Sequence, residues 1–275
     1  HWIKVYKLPQ GGRQSRGRPV NNVLELQEGE KISAILPVRE FIDTEYVFMA
    51  TANGTVKKTA LTDFSRPRTA GIIAINLDDN DSLVGVAKTT GNDHVMLFSS
   101  NGKAIRFDEN DVRAMGRTAA GVRGMKLLDD AKVISLLVSN PCEDGACMVL
   151  TATANGYGKR TPVEDYRLSG RATQGVIAID TGERNGELIA ASLVADSDDL
   201  MLITSGGVLI RTKVNQVRET GRAAQGVRLI NLDEGENLVS LTRVAESEED
   251  ECEAEEGMAD NTDSSNDSAA DAGNA

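Results

Sequence analysis

Lysine and arginine residues recur at corresponding places along this sequence, and their type and spacing indicate a surface that binds anions. Most fall in the second strand of four β-rich hairpins or in the polar loop that follows each hairpin. Ammonium and guanidinium groups donate charge-assisted hydrogen bonds to phosphate oxygens, so a repeated row of them predicts contact with a polyanion. With the cations of a partial copy at the start, the predicted binding residues are Arg13, Arg16, Arg18, Lys57, Lys58, Arg66, Arg68, Lys103, Arg106, Arg113, Arg117, Arg123, Lys159, Arg160, Arg167, Arg171, Arg211, Lys213, Arg218 and Arg222.

The residue types needed for catalysis or metal binding do not form a set. The only histidines are His1 and His94, and the three cysteines, Cys142, Cys147 and Cys252, do not complete a group of four zinc ligands. An odd number of cysteines, one of them in a tail that cannot fold, is typical of reduced thiols. We therefore expect no catalytic residue, no metal and no cofactor within this chain.

Two further patterns are better explained by structure than by chemistry. The segment TANGYGKRT, from Thr153, lacks the spacing of a phosphate-binding loop, and no helix is predicted after it, so a hairpin is favoured. The tyrosines lie in or beside apolar strand segments or turns, which favours packing or a contact with the polyanion over nucleophilic chemistry. They are Tyr6, Tyr46, Tyr157 and Tyr166.

The charge of the chain is unevenly distributed. The sequence has 42 acidic and 30 basic residues, for a formal net charge of −12. Residues 245–275 hold twelve of the acids and no lysine or arginine, which leaves 30 acids against 30 bases in the rest. This segment has almost nothing to bury, so a disordered acidic tail is predicted over 245–275. The net charge therefore does not argue against a nucleic-acid partner for residues 1–244.

The composition favours a chain that turns often and has a core without many aromatic rings. There are 26 glycines among 275 residues, and only 4% of the residues are aromatic. Glycine weakens helices but suits tight turns. Since the sequence has neither a run of about 18 apolar residues nor a signal-peptide pattern at its amino terminus, a soluble, cytoplasmic protein is expected.

Self-similarity with a period of about fifty residues is the strongest pattern in the sequence. A glycine that precedes an apolar run falls at Gly71, Gly121, Gly175 and Gly226, with spacings of 50, 54 and 51 residues. An incomplete copy opens the chain without its first strand, so the chain is expected to start inside a repeat. The copies predict one domain over 1–244, with repeats near 1–44, 45–92, 93–145, 146–198 and 199–244.

Each complete repeat has the pattern of four short strands. The first two are joined by Asn-Gly or Gly-Gly, the third begins at the repeated glycine, and the fourth follows an acidic turn. A unit of this size cannot bury both faces of its sheet alone, so neighbouring units must pack against it. A ring of blades is the leading architecture, with a linear solenoid of the same units as the alternative.

Bases and acids occupy different loops of each repeat. The bases cluster in the loop before the third strand, and the acids lie mostly in the turn before the fourth. A strand of about six residues separates these loops by roughly 20 Å, which is about two Debye lengths at physiological salt. A ring of such units predicts a continuous positive path for duplex DNA. Because the sequence shows no recognition helix, binding is expected to depend on phosphate contacts and on DNA deformability.

Five longer segments of the repeats carry a family resemblance. They are RTAGIIAINL, NDVRAMGRTAAGVRGMKLLDDAKV, TANGYGKRTPVEDY, GRATQGVIAID and GRAAQGVRLINL. In this order they resemble the C-terminal domain of the bacterial DNA gyrase A protein, and the resemblance runs from about Ile3 to Val244. It implies an all-β, propeller-like β-pinwheel of about six four-stranded blades that wraps DNA with positive handedness. It also implies, as partners, the remainder of the gyrase A protein and the gyrase B protein in an A2B2 complex that introduces negative supercoils, with ATP and Mg²⁺ bound at other domains.

The sequence departs from the family's pattern in two ways. The heptapeptide Gln-Arg-Arg-Gly-Gly-Lys-Gly is not found in it, the GGRQSRGR stretch near Gly11 being a different segment, and the first blade lacks its start. These differences bear on complete wrapping rather than on DNA binding. Two alternatives stay open at this point: the equivalent domain of topoisomerase IV, and a propeller that binds proteins without a role in nucleic-acid binding.

Overall fold

A computed structural model describes residues 1–11, 15–27, 29–66, 68, 70–140 and 147–244. Within these ranges the chain forms β-strands and short 3₁₀ turns and contains no α-helix, which confirms the all-β prediction. Accordingly, no helix in this part of the chain is long and apolar enough to cross a membrane. The predicted tail over 245–275, Arg13 and Cys142 lie outside the described residues.

The strands of the described chain follow the repeats. They are β1 (Tyr46–Thr51), β2 (Thr55–Ala60), β3 (Leu83–Thr89), β4 (His94–Ser99), β5 (Lys103–Asp108), β6 (Val122–Arg123), β7 (Val133–Ser139), β8 (Met148–Thr153), β9 (Tyr157–Pro162), β10 (Val176–Ile177), β11 (Leu188–Val194), β12 (Asp199–Thr204), β13 (Leu209–Lys213), β14 (Val227–Arg228) and β15 (Leu238–Val244). They form four antiparallel sheets, in the strand orders β3-β1-β2-β6, β7-β4-β5-β10, β11-β8-β9-β14 and β15-β12-β13. Each sheet is one blade, and four blades, rather than six, lie in this part of the chain.

The predicted hairpins are confirmed. The first two strands of each blade pair directly. The chain turns between them at the second residue of the Asn-Gly or Gly-Gly pair, which is glycine in every blade. These residues, Gly54, Gly102, Gly156 and Gly207, have φ angles of 84°, 74°, 80° and 86°, the left-handed region that glycine adopts without strain.

In three blades the outer strand beside the second strand comes from the following repeat, where it is the start of the predicted third strand. This corrects the sequence prediction that all four strands of a blade belong to one copy. Val122 and Arg123 of β6 pair with Val56 and Thr55 of β2, and β10 and β14 pair with β5 and β9 in the same way. The reason is that the second strand would otherwise leave its backbone groups unpaired at the edge of its sheet. Only two residues of each predicted third strand take part.

The two ends of this series lack the exchanged strand. Residues 71–77 form no strand, and Gly71 lies beside the ring of His1 instead of another backbone. At the other end the described chain supplies no partner to β13, where Val208 and Leu209 remain about half exposed. The exchange therefore links four successive blades through three junctions.

Close approach of the exchanged strand requires glycine at the repeated position. Gly121, Gly175 and Gly226 have positive φ angles, and each lies against a backbone carbonyl of the preceding blade. A Cβ atom on Gly175 would stand 2.2 Å from the carbonyl oxygen of Ala104. The periodic glycine of the sequence is therefore a consequence of how neighbouring blades join.

The hydrophobic core lies between adjacent sheets. One cluster joins Phe48 and Val56 of the first blade to Leu97 and Phe107 of the second, with the two phenylalanine ring centroids 6.4 Å apart. Similar clusters join the second blade to the third and the third to the fourth. Since each blade buries its face against its neighbour, no single sheet holds a core of its own.

A buried ion pair reinforces the first junction. Lys58 lies four residues after the hairpin glycine, and its Nζ is 2.9 Å from Glu109 Oε2, with side chains 4% and 0% exposed. Glu109 belongs to the 3₁₀ turn Glu109–Asp111 of the next blade and also accepts hydrogen bonds from the Gly91 and Asp93 N–H groups. The carboxylate is therefore enclosed by donors, as a buried charge requires.

Arginines at the same repeat position link the blades at the next two junctions. Arg106 donates through Nη1 to the carbonyl oxygens of Val163 and Tyr166, at 3.0 and 3.3 Å. Arg160 donates through Nε to the carbonyl oxygen of Val217, at 2.6 Å. Both sets of acceptors lie at a 3₁₀ turn of the following blade, so the cation four residues after the hairpin glycine is a recurrent link between blades.

Replacement of Gly175 by alanine should weaken the second junction. The Cβ atom meets backbone at a positive φ angle, so we expect the free energy of unfolding to fall by about 2–4 kcal/mol. Urea denaturation measures this change. Gly170→Ala is the matched control, because a Cβ there has nothing within 4 Å and it should leave stability nearly unchanged. Equal stability of the two variants would contradict the close approach.

Removal of Lys58 should leave Glu109 buried without its cation. We expect Lys58→Met to lower the free energy of unfolding by about 3 kcal/mol, because breaking one side of a buried pair strands the other charge. Lys88→Met serves as a control, since its pair with Glu45 is partly exposed and should contribute about 1 kcal/mol or less. Chemical denaturation of both variants decides the point, and similar losses would show that the Lys58 pair is no more than a surface contact.

Candidate nucleic-acid interface

The predicted cations fall into buried and exposed groups. Lys57, Lys58, Lys159 and Arg160 are buried, so the expectation that these four lie on the DNA-facing surface is wrong. The second strand carries them, and the next repeat covers its edge: Met115, for example, donates its N–H to the Lys58 carbonyl oxygen at 2.9 Å. Their charged groups bond to other groups of the protein.

Lys57 and Lys159 donate to backbone carbonyl oxygens. Lys57 Nζ bonds to Ala74, at 2.7 Å, and to Arg117, and Lys159 Nζ bonds to Gly221, at 2.6 Å, and to Arg222. Burial lowers the pKa of both lysines, to about 8 for Lys159, and the nearby Arg117 or Arg222 guanidinium lowers it further.

Arg106, Arg211 and Lys213 are also engaged with protein groups. Arg106 Nη2 lies 3.0 Å from His94 Nδ1, and burial lowers the pKa of both side chains. Arg211 and Lys213 lie near the Asp199 carboxylate, but their side chains are more than half exposed. These last two remain available to a ligand on the open strand β13.

The exposed cations concentrate in four loops between the second strand and the repeated glycine. We call these the arginine loops: residues 61–70, 109–120, 163–174 and 214–225. One position is exposed in three loops (Arg113, Arg167, Arg218), another is half-buried in the same loops (Arg117, Arg171, Arg222), and the first loop carries the exposed Arg66 and Arg68. Of the other predicted residues, Arg16, Arg18 and Arg123 are exposed and Lys103 is half-buried.

Successive arginine loops lie next to one another. Arg171 reaches back to the preceding repeat, where it donates to the carbonyl oxygens of Asp111 and Arg123 at 3.0 and 2.9 Å. Arg222 makes the corresponding bond to Ile177, at 3.1 Å. The guanidinium groups of one loop are therefore held next to the loop before it.

A concave site marks the first of these contacts. It has a volume of about 470 Å³ and is lined by Arg66 and Arg68 from one loop and Arg117 from the next, together with the Asp63 carboxylate. Three guanidinium groups around one open depression suit an anionic group such as a phosphate.

Acidic turns lie at the other end of the blades. Asp81 accepts a hydrogen bond from the hairpin residue Asn53, at 2.9 Å, and the Asn155 side chain donates to the Glu183 carbonyl oxygen at 3.1 Å. The hairpin and the arginine loop stand at opposite ends of a six-residue second strand, or roughly 20 Å apart. The positive and negative loops are thus segregated, as the repeat pattern predicted.

Sequence reasoning missed an arginine pair around Tyr157. The guanidinium carbons of Arg184 and Arg228 lie 4.4 and 5.5 Å from the ring centroid, and Arg228 donates to the phenolic oxygen at 2.9 Å. Hydrogen bonds from Arg228 and Arg184 lower the pKa of Tyr157. Arg228 follows the repeated glycine by two residues, as Arg123 does, so the repeat alignment contained the signal for it.

The remaining tyrosines and the potential metal ligands add no reactive site. Tyr166 is buried, and burial raises the pKa of its hydroxyl, whereas Tyr6 is 80% exposed and Tyr46 lies under the Lys58 ammonium. Among the residues described, no three histidine, cysteine or acidic side chains form a group that could hold a metal ion. The chemistry that this surface offers is anion binding.

Known proteins resemble the chain along nearly all of its repeats. The model of the family described as DNA gyrase C-terminal domain, beta-propeller, matches residues 2–39, 45–90, 93–140, 148–195 and 198–245. The DNA gyrase A protein of Neisseria gonorrhoeae is 56% identical over 287 residues, which cover 90% of this chain and 31% of that protein. The chain therefore spans about a third of the length of this relative.

Two solved structures share the fold. The C-terminal domain of DNA topoisomerase IV has a TM-score of 0.80 at 27% identity, covering 93% of this chain and 79% of that one. A DNA gyrase A C-terminal domain has a TM-score of 0.72 at 26% identity, covering 84% of this chain and 76% of that one. Since the family model covers most of the chain, repeat by repeat, the protein belongs to the DNA gyrase C-terminal domain family of β-propellers.

Proposed function

We propose that this chain binds duplex DNA without sequence specificity and bends and wraps it along the arginine loops. Phosphate contacts from dispersed arginines supply affinity that does not depend on base sequence. Bending is opposed by a DNA persistence length of about 50 nm, so a curved path needs several such contacts along the duplex.

The observation that carries this proposal is that successive arginine loops lie next to one another. Arg171 and Arg222 each bond to the backbone beside the preceding loop, and Arg66, Arg68 and Arg117 from two blades share one concave site. Adjacent loops favour one continuous track over separate patches. Exposed Arg113, Arg167 and Arg218 repeat along it and are the groups we expect to reach phosphates first.

The proposal extends to the role of the chain within a larger protein. We propose that it is the accessory domain of a DNA gyrase A protein, acting in the cytoplasm with the other domains of that protein and with the gyrase B protein in an A2B2 complex. In this role it presents wrapped DNA to domains that bind ATP and Mg²⁺ and introduce negative supercoils. The 56% identity to a gyrase A protein over 90% of this chain supports the assignment.

The equivalent domain of topoisomerase IV is the nearest alternative. Its structure has the higher TM-score, 0.80 against 0.72, but both structures share only about a quarter of their residues with this chain. Similarity of fold therefore does not separate the two roles. The level of sequence identity favours gyrase.

Substitution of two exposed loop arginines should reduce the number of phosphate contacts. We expect the double variant Arg113→Ala, Arg167→Ala to lower the slope of log affinity against log salt by about 1.8, at about 0.9 per phosphate contact. Fluorescence anisotropy with a duplex at several salt concentrations measures it. Loss of affinity should be similar for unrelated duplex sequences.

The double variant Lys88→Ala, Lys132→Ala is the charge-matched control. Both lysines are exposed but lie outside the arginine loops, so the salt slope should stay close to that of the unmodified chain. A salt slope that is near zero in the unmodified chain would instead favour a propeller that binds proteins. An equal fall in both double variants would mean that total charge, and not the arginine loops, governs binding.

A further inference from the structure

Two buried lysines and two isoleucines alternate at one position of the repeat. Three residues after the hairpin glycine the blades carry Lys57, Ile105, Lys159 and Ile210 in turn. In the first and third blades the ammonium group bonds to carbonyl oxygens of the arginine loop that belongs to the next blade. An isoleucine at the same position cannot donate to that loop.

The two loops that meet a lysine share one conformation. In the loop beside Lys57, Ala119 donates its N–H to the Gly116 carbonyl oxygen at 3.1 Å. In the loop beside Lys159, the corresponding Ala224 donates to Gly221, also at 3.1 Å. Within this turn the carbonyl groups of Arg117 and Arg222 accept hydrogen bonds from the lysine ammonium.

The loop that meets Ile105 has a different conformation. Its hydrogen-bonded turn is replaced by Ala172 in the left-handed region, with φ of 62°, and the Ala172 N–H donates to the Gly124 carbonyl oxygen at 2.6 Å. The Arg171 side chain bonds to the carbonyl oxygens of Asp111 and Arg123, and Arg222 of a lysine-anchored loop bonds likewise to Ile177, so the backbone turn and not the arginine contact distinguishes the loops. The loop that follows Ile105 thus lacks the hydrogen-bonded turn that both lysine-anchored loops form.

We propose that Lys57 and Lys159 are positioning residues, which set the backbone conformation of the next blade's arginine loop and so hold Arg117 and Arg222 where they can contact the DNA backbone. The inference rests on the proposed DNA-binding function. Each ammonium group bonds to carbonyl oxygens of the loop, so these oxygens do not face an approaching phosphate, which they would repel. The lysine charge therefore acts on DNA binding without touching DNA.

Isoleucine should be tolerated at both positions as far as folding is concerned. The chain already accepts it at Ile105 and Ile210, and burial disfavours the charged form of Lys159, whose pKa falls to about 8. A buried ammonium group carries a desolvation cost that an apolar side chain does not, which offsets the lost hydrogen bonds. Loop conformation and stability can thus be separated by Lys57→Ile and Lys159→Ile.

Amide hydrogen exchange of the whole chain of residues 1–275, followed by NMR, tests the positioning directly. Loss of the ammonium anchor should speed exchange of Ala119 in Lys57→Ile and of Ala224 in Lys159→Ile on the order of tenfold, since a charged hydrogen bond no longer holds the turn. Lys126, whose N–H bonds to the Thr173 carbonyl oxygen in the loop beside Ile105, should exchange as before in both variants.

Duplex binding then tests the consequence for phosphate contacts. The double variant should show a salt slope lower by about 1.8, corresponding to two lost contacts, with an unchanged unfolding midpoint. Lys88→Ile is the control for loss of a positive charge and should leave the slope as it was. If an isoleucine variant fails to fold, Lys57→Met and Lys159→Met, which keep a straight chain, take its place.

The exchange and binding measurements test different parts of the proposal. Unchanged hydrogen exchange at Ala119 and Ala224 would overturn the proposal, whether or not DNA binding changes. Faster exchange with an unchanged salt slope would overturn the link between loop conformation and phosphate contact. If the unmodified chain binds no DNA, the proposed function itself fails, while the exchange data still decide whether the lysines hold the loops.

Discussion

The unpaired edge of a three-stranded unit is the constraint on which this structure depends. Each repeat supplies a hairpin and one outer strand, and the far edge of its second strand would expose backbone donors and acceptors. Two residues from the following repeat cover that edge at three junctions, and a glycine precedes them because a carbonyl group stands where a Cβ would be. Blades are therefore coupled in series, and the arginine loops at the three junctions each lie between two of them.

Cations have two separate tasks in this arrangement. Those on the second strand, including Lys58, Arg106 and Arg160, bond to carboxylate or carbonyl oxygens of the next blade. Those in the arginine loops remain exposed or half-buried at the end of the blade opposite the acidic hairpin turns. The buried cations join the blades, and this joining places successive arginine loops next to one another.

Much of the fold could be predicted from the sequence, but the roles of individual cations could not. The period of the glycines and the Asn-Gly hairpins specify repeated β units, and the segregated charges indicate the loop end of each blade. Exchange of the strand that starts at Gly121 is a tertiary event that local pattern does not contain. Lys57 and Lys159 resembled surface residues because buried lysine is rare, although the aligned Ile105, which is buried, was a sign of burial.

The central claim is that exposed arginines from successive blades form one curved track for duplex DNA. Energy transfer between dyes at the two ends of a duplex long enough to reach several arginine loops tests it most directly. Saturating amounts of the chain should bring the ends closer, and added salt should reverse the change, because phosphate contacts hold the bend. Saturated binding with no change in the distance between the ends would contradict the account.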